Sequence, residues 1–202
     1  MVKAALNEIN TLPASSGMAG LITTIDDREG VWKAPVNTSM VAAAEIPFNL
    51  SDDQQENLNV DSVSGKSINS LRLFTGVGIM IWGARTLDGN SNDCQHLSVR
   101  RTIIFIEKSI KSAIKFHALL PNDSSRFRSV KSMIERFLTN LWTEGALKGS
   151  KVMDAFEVNI GLGSTMLPED IVNGIIRLSV KVALTQPADF IEITIEQEQA
   201  KD

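Results

Sequence analysis

IIRLSVKVALTQPADFIEITIE, residues 175–196, carries two alternating runs on either side of a proline-containing connection. Ile176, Leu178, Val180, Val182 and Leu184 alternate with Arg177, Ser179 and Lys181, and Ile191, Ile193 and Ile195 alternate with Glu192, Thr194 and Glu196. Successive strand side chains point to opposite faces, so each run reads as a strand with one apolar and one polar face. Thr185-Gln186-Pro187-Ala188 serves as a hairpin connection. Pairing about it sets Lys181 opposite Glu192 and Arg177 opposite Glu196, two opposite-charge pairs contributing roughly 0.2–1 kcal/mol each. The last strand is equally suited to a neighbouring copy, because an edge strand makes the same backbone hydrogen bonds within a chain or between chains.

Working back from this stretch, Ala155–Ile160 alternates in the same way, with Phe156, Val158 and Ile160 on one face. The period then changes to 3.6. Over Ser98–Leu120, residues Val99, Ile103, Ile106, Ile110, Ala113 and His117 form one stripe, with Arg100, Arg101, Glu107, Lys108 and Lys111 largely on the other side. Asn122-Asp123-Ser124-Ser125 interrupts it and caps a second helix striped by Phe127, Val130, Ile134, Phe137 and Leu141, with Gly145 and Gly149 bracketing its end. The expected fold class is therefore α+β: a mainly antiparallel sheet packed against two long antiparallel helices.

The N-terminal part is less regular. GVGIMIWGARTL, residues 76–87, follows a short strand at Ser70–Phe74 and contains another at Val77–Trp82. This second strand is apolar on both faces and reads as buried on both sides, with its glycines at a close crossing or bulge. Further upstream, Ser15–Asp27 reads as a serine-capped helix bearing Met18, Leu21, Ile22 and Ile25, ending near Gly30. Trp32–Gly65 is an irregular connection with one helical turn at Ser51–Leu58; such length points to a functional loop or a boundary.

The composition narrows the function classes. The chain has 202 residues, net charge −4 and 43% hydrophobic residues, with a mean hydropathy near zero. That is enough to bury a core, and lysines and arginines read as scattered, which argues against nucleic acid. No apolar run reaches the roughly 20 residues of a membrane span. A single cysteine, Cys94, excludes an internal disulfide. Cys94 and His96 are two possible metal ligands where a site needs three or four. Gly76-Val77-Gly78 lacks the third glycine and following helix of a dinucleotide loop, and Gly161-Leu162-Gly163-Ser164-Thr165 lacks the phosphate-loop lysine. The latter reads as a turn with Ser164 or Thr165 capping a short helix from Pro168 through Val172. Glu107 and Glu135 read as solvated helix carboxylates. No nucleophile–base arrangement stands out, so neither catalysis nor a cofactor or metal is expected.

Seven motifs in order carry a resemblance. Gly30-Val-Trp-Lys-Ala-Pro-Val-Asn37 is similar to the G-V-W-K-A-P-A-N signature of contractile phage tail sheath proteins. It is followed by Ile68-Asn-Ser-Leu-Arg72, Trp82-Gly-Ala-Arg-Thr-Leu87, Val99-Arg-Arg101 opening the helix with Ile106-Glu-Lys-Ser-Ile110, Gly145-Ala-Leu147, Ala155-Phe-Glu-Val158 and Pro187-Ala-Asp-Phe-Ile191. Val36 and Asp189 depart mildly from the pattern. Together these motifs resemble the sheath family over about residues 14–199, from phages or from related bacterial contractile injection systems.

The resemblance implies a structural subunit rather than an enzyme. Its partners would be other sheath subunits in hexameric rings stacked helically, an inner tail tube protein, and baseplate and terminator proteins, with no nucleic acid and no membrane insertion. Its place would be a virion tail or bacterial contractile particle assembled in the bacterial cytoplasm. Residues 1–65 would end a preceding sheath domain, and 66–202 would form the C-terminal α+β domain of a longer protein. Subunit-interface residues would be Phe190, Ile191, Glu192, Ile193, Thr194, Ile195 and Glu196 in an exchanged strand, with Arg177 and Lys181 beside it; Trp32, Trp82 and Arg85 would be core anchors. Two other classes stay open on the residues alone: another ring-forming tail or baseplate component, and an α+β ligand-binding or catalytic domain.

Overall fold

The glycines of GVG close a hairpin. A computed structural model describes residues 9–41, 43–59, 61, 63–88, 91, 94–116, 124–185 and 191–198, with the backbone alone for 59, 124 and 191–198. In chain order the elements are α1 (Ala14–Glu29), α2 (Asp52–Asn59), β1 (Ser70–Phe74), β2 (Gly78–Trp82), α3 (Leu97–Lys115), α4 (Ser124–Thr143), α5 (Val152–Ala155), β3 (Phe156–Ile160), α6 (Pro168–Val172), β4 (Ile175–Val182) and β5 (Ile191–Glu198). Expectations for His117–Leu120, Asn122–Asp123, the connection at 186–188 and Phe190 lie outside the described residues. The architecture is α+β. Its strands form a β1–β2 pair and a separate antiparallel sheet of order β3-β4-β5.

The chain divides into two units, Met1–Leu87 and Asp88–Asp202. In the first, β1 and β2 pair from Ser70↔Trp82 to Phe74↔Gly78. Thr75–Val77 forms the turn: the Val77 N–H donates to the Phe74 carbonyl at 3.1 Å, and Gly76 and Gly78 have φ of +81° and +104°, where a Cβ costs about 1–2 kcal/mol. The expectation of a strand buried on both sides is corrected here: Ile79 and Ile81 are buried, while Met80 and Trp82 on the other face are half-buried. β2 is nonetheless bonded along both edges. The Asn37 N–H donates to Ile81 O at 3.2 Å, the Ile81 N–H to Thr38 O at 3.2 Å, and the Met40 N–H to Ile79 O at 2.9 Å. Because residues 37–40 bond to β2, the hairpin belongs with the N-terminal segment, within the unit that runs to Leu87.

α1 begins at Ala14 after Pro13 with no side-chain cap, so Ser15 lies within its first turn rather than at the cap. It stops at Gly30, whose N–H donates to Asp26 O at 3.0 Å and whose φ is +93°. A Cβ there would meet the Trp32 ring at 2.4 Å. α2 starts with a reciprocal cap: Gln54 N–H donates to Ser51 Oγ at 3.3 Å and Ser51 N–H to Gln54 Oε1 at 3.0 Å.

In the second unit, Ile176, Leu178, Val180 and Val182 of β4 are buried, while the alternate residues Ile175, Arg177, Ser179 and Lys181 are part-exposed. α4 contacts β3 and α3 contacts β5. α3 buries Val99, Ile103, Ile106, Ile110 and Ile114, and α4 buries Phe127, Val130, Ile134, Leu138 and Leu141. Each large aliphatic side chain so enclosed contributes roughly 1.5–3 kcal/mol. Leu138 takes the stripe position expected of Phe137. The Phe137 ring lies at the flank, 6.1 Å from that of Phe105 on α3. α3 ends at Lys115, short of the expected Leu120. The lysines and arginines are not scattered as expected: nine of the 20 fall on α3 and α4, with two of the 24 carboxylates.

After α4 the chain turns at Gly145 (φ +87°) and runs back beside the end of β4. Lys148 N–H donates to Ala183 O at 2.8 Å, and Thr185 Oγ1 donates to Ala146 O at 2.7 Å. Gly149 (φ +143°) leaves no room for a side chain, since a Cβ would stand 2.9 Å from the Ala155 nitrogen. Gly145 has open space around it. In chemical denaturation, Gly145→Ala is expected to cost about 1–2 kcal/mol from backbone strain alone. Gly149→Ala is expected to cost more, as steric overlap with backbone adds to strain; equal costs would show that the close approach is not maintained.

Candidate subunit interface

The central feature of the second sheet is a charge-matched ladder. β4 pairs with β3 from Phe156↔Val182 to Ile160↔Leu178 and with β5 from Ile175↔Glu198 to Val182↔Ile191. Lys181 therefore stands between Glu157 on one neighbour and Glu192 on the other, and Arg177 stands opposite Glu196. This is the register expected from the alternating runs, made here within one chain. The Lys181 Nζ lies 3.7 Å from Glu157 Oε2. Glu157 is held below its ordinary pKa first by the Asn159 amide and then by Lys181. β3 and β5 are the outer strands of this sheet.

Arg177 also makes a contact that periodicity did not show. Its Nε–H donates to Asp170 Oδ1 at 3.2 Å, while Asp170 Oδ2 accepts the Leu167 N–H at 2.8 Å and so caps α6. The cap position is Leu167, not Ser164 or Thr165; Thr165 Oγ1 instead donates to Arg177 O at 2.6 Å and accepts from Gly161 N–H at 3.2 Å. Asp170 is 8% exposed. The Leu167 hydrogen bond, helped by the Arg177 guanidinium, lowers its pKa against the opposite pull of burial. The 161–170 loop is thus fastened to β4 at two points. The acid at the third position of a Pro-opened helix was the available signal.

The remaining expected residues lie apart from this ladder. Trp32, Trp82 and Arg85, expected as core anchors, are half-buried in the first unit. Trp82 meets the Phe74 ring at 5.1 Å, with the Arg72 guanidinium 5.3 Å from the Phe74 centroid and 5.9 Å from that of Trp82. The backbone of Arg85 is held by one side chain: Asn69 Oδ1 accepts its N–H at 2.9 Å and Asn69 Nδ2 donates to its carbonyl at 2.8 Å. Glu107 and Glu135 each face a lysine one helical turn away, Lys111 at 2.6 Å and Lys131 at 3.8 Å.

The groove of about 500 Å³ in the first unit is lined by Met18, Ile46, Phe48, Leu71 and Ile81 among others, none of them ionisable. It offers no group for proton transfer. Among the described residues no three His, Cys, Asp or Glu side chains gather as a metal site, and no helix is long and apolar enough to cross a membrane.

Sheet, helices and ladder make an α+β module, and its relatives say which. Residues 90–198 match the phage tail sheath C-terminal domain family, and the chain belongs to that family. The PVC sheath of an extracellular contractile injection system, solved in its contracted state, is 36% identical with a TM-score of 0.82, over 93% of this chain and 51% of that one. A chain of the six-fold symmetrised baseplate of the anti-feeding prophage is 32% identical with a TM-score of 0.80, over 92% and 50%. The tail sheath protein of Vibrio phage KVP40 is 26% identical over 142 residues, 70% of this chain and 21% of that protein. The chain thus spans about half the length of these solved relatives and about a fifth of the curated one.

Two substitutions check the ladder and the clamp. Lys181→Glu sets a carboxylate between Glu157 and Glu192 and is expected to destabilise by on the order of 1 kcal/mol, partly restored by Glu157→Lys in the same chain. A depressed aspartate pKa stabilises above its unfolded value and the effect is lost as pH falls through the folded value. Asp170→Asn should therefore lower Tm at pH 7, with the difference from the parent shrinking below about pH 4; a gap constant with pH would exclude the charged clamp.

Proposed function

We propose that this chain is the C-terminal part of a contractile sheath subunit, which polymerises in six-membered rings stacked helically around an inner tube and contracts to drive that tube through a target envelope. The family match over residues 90–198 carries the reading, and the likeness to a sheath solved in its contracted state supports it. The subunit acts as a structural part without catalysis or cofactor. Its partners are further sheath subunits, the tube protein, and baseplate and terminator proteins; its place is a virion tail or bacterial contractile particle assembled in the cytoplasm.

Within that assembly Phe190–Glu196 is the exchanged element and Arg177 and Lys181 its receiving face. An outer strand matched to its neighbour in both apolar face and charge is an element that an adjacent subunit can receive on unchanged terms. Contraction is then a rearrangement of packed blocks whose strand links persist.

Electron microscopy of the full-length protein co-expressed with its tube tests the reading. Long tubular polymers are expected, and discrete rings or monomers would count against a sheath. Deleting Phe190–Asp202 should abolish the polymers; normal tubes from the truncated protein would remove the strand from the interface.

A further inference from the structure

α6 ends on the only Asn-Gly pair of the chain, Asn173-Gly174. Glycine is the residue that least obstructs attack of its own backbone nitrogen on a preceding side-chain amide, because it has no Cβ and turns freely. α6 is only five residues long, and Asn173 at its C-terminal cap has φ −80° and ψ 0°. Val172 and Asn173 are exposed, and an open recess of about 340 Å³ lined by Pro168, Glu169, Val172 and Asn173 admits water to the amide. The Gly174 N–H donates to Ile171 O at 3.2 Å, its φ is +69°, and it lies one residue before the β4–β5 ladder opens at Ile175↔Glu198. Turning the 173–174 peptide to bring its nitrogen against Asn173 Cγ therefore gives up one long hydrogen bond at a helix end, where opening costs little. Other asparagines are placed differently. Asn69 is held at both ends of its amide by the Arg85 backbone. Asn57 donates to Asp53 O at 2.9 Å and Asn159 to Glu157 Oε1 at 2.8 Å, and they precede the bulky Leu58 and Ile160.

We propose that Asn173 is a site of spontaneous deamidation, and that its conversion loosens the hold of α6 on β4. The Gly174 nitrogen gives up its proton and bonds to Asn173 Cγ; the Cγ–Nδ2 bond breaks, and ammonia leaves carrying that proton. Water then opens the succinimide, to isoaspartate where it attacks the main-chain carbon and to aspartate where it attacks the side-chain carbon. Either product sets a carboxylate one helical turn after Glu169, a like-charge pair at the negative end of a helix. Isoaspartate also routes the main chain through the side chain and lengthens it by a methylene. Asp170 and Arg177 stand on opposite sides of the altered bond and are joined across it at 3.2 Å, so the lengthened chain displaces one from the other.

The test is to hold the purified chain for days in mildly alkaline buffer, native or unfolded in urea, and to follow it by peptide mapping and isoaspartyl methyltransferase labelling. Asn173 should convert ahead of every other asparagine, and in the native chain at a rate within about tenfold of the unfolded one. Asn173→Gln, whose longer side chain needs a less favoured six-membered ring, should remove most of the label. The aged parent should melt below both the fresh parent and Asn173→Asp, which adds the charge without the extra backbone atom, while Asn173→Gln should melt unchanged after the same ageing. An amide that survives at 173 in the native chain while the unfolded chain loses it, or earlier conversion at another asparagine, overturns the site. Equal loss of Tm by aged parent and aged Asn173→Gln overturns the loosening.

Discussion

The second unit depends on the one-sided burial of β4. Ile176, Leu178, Val180 and Val182 enter the core while Arg177 and Lys181 stay on the part-exposed face. A register slip of one residue would exchange the two sets. Charge acts in the same direction, since Lys181 has glutamates opposite it on both neighbouring strands. Burial supplies most of the free energy, because four aliphatic side chains at roughly 1.5–3 kcal/mol each outweigh two part-exposed ion pairs at about 1 kcal/mol or less. The charges instead make alternative registers worse. The helix stripes follow from this: α3 and α4 carry isoleucine- and leucine-rich faces that have a uniform apolar surface to cover.

Periodicity makes this part of the fold legible in the amino-acid sequence alone. Alternation at 176–184 and 191–195 defines two strands and, through opposite charges, their pairing. What periodicity does not locate is set by single contacts. Phe137 and Leu138 both suit a helical stripe, and which one is buried depends on the angle at which α4 meets β3. Asp170 is acidic and near a helix start, so it reads as solvated until β4 brings Arg177 to it. The basic residues of α3 and α4 look dispersed along the chain because roughly half of the intervening positions are apolar. Folding turns many of those inward and leaves Arg100, Lys108, Lys111 and Lys115 on the exposed side of α3.

The first unit is harder to read for a different reason: its organisation rests on backbone conformation rather than on side-chain period. Gly30, Gly76 and Gly78 adopt positive φ, and Asn69 pairs with the backbone of Arg85 as a strand would. The strand-like segment 37–40 has no alternating pattern and is defined by its hydrogen bonds to β2. GVGIMIWG therefore resembles a strand enclosed on both faces. It is a tight hairpin arm bonded along both edges, with its apolar character shared between one buried face and a half-buried aromatic cluster.

For the proposed assembly, the useful property of the β4–β5 ladder is that its specificity lies in residues, not in connectivity. Val180 and Lys181 meet the same partners whether β5 arrives from its own chain or from a neighbour, so exchange leaves the ladder's contacts unchanged and alters the connection. The free-energy difference between the two arrangements is then carried by the linker and by the new subunit surfaces brought together. Those surfaces can change partners while the strands stay paired, which is what a mesh needs if its blocks are to move without coming apart.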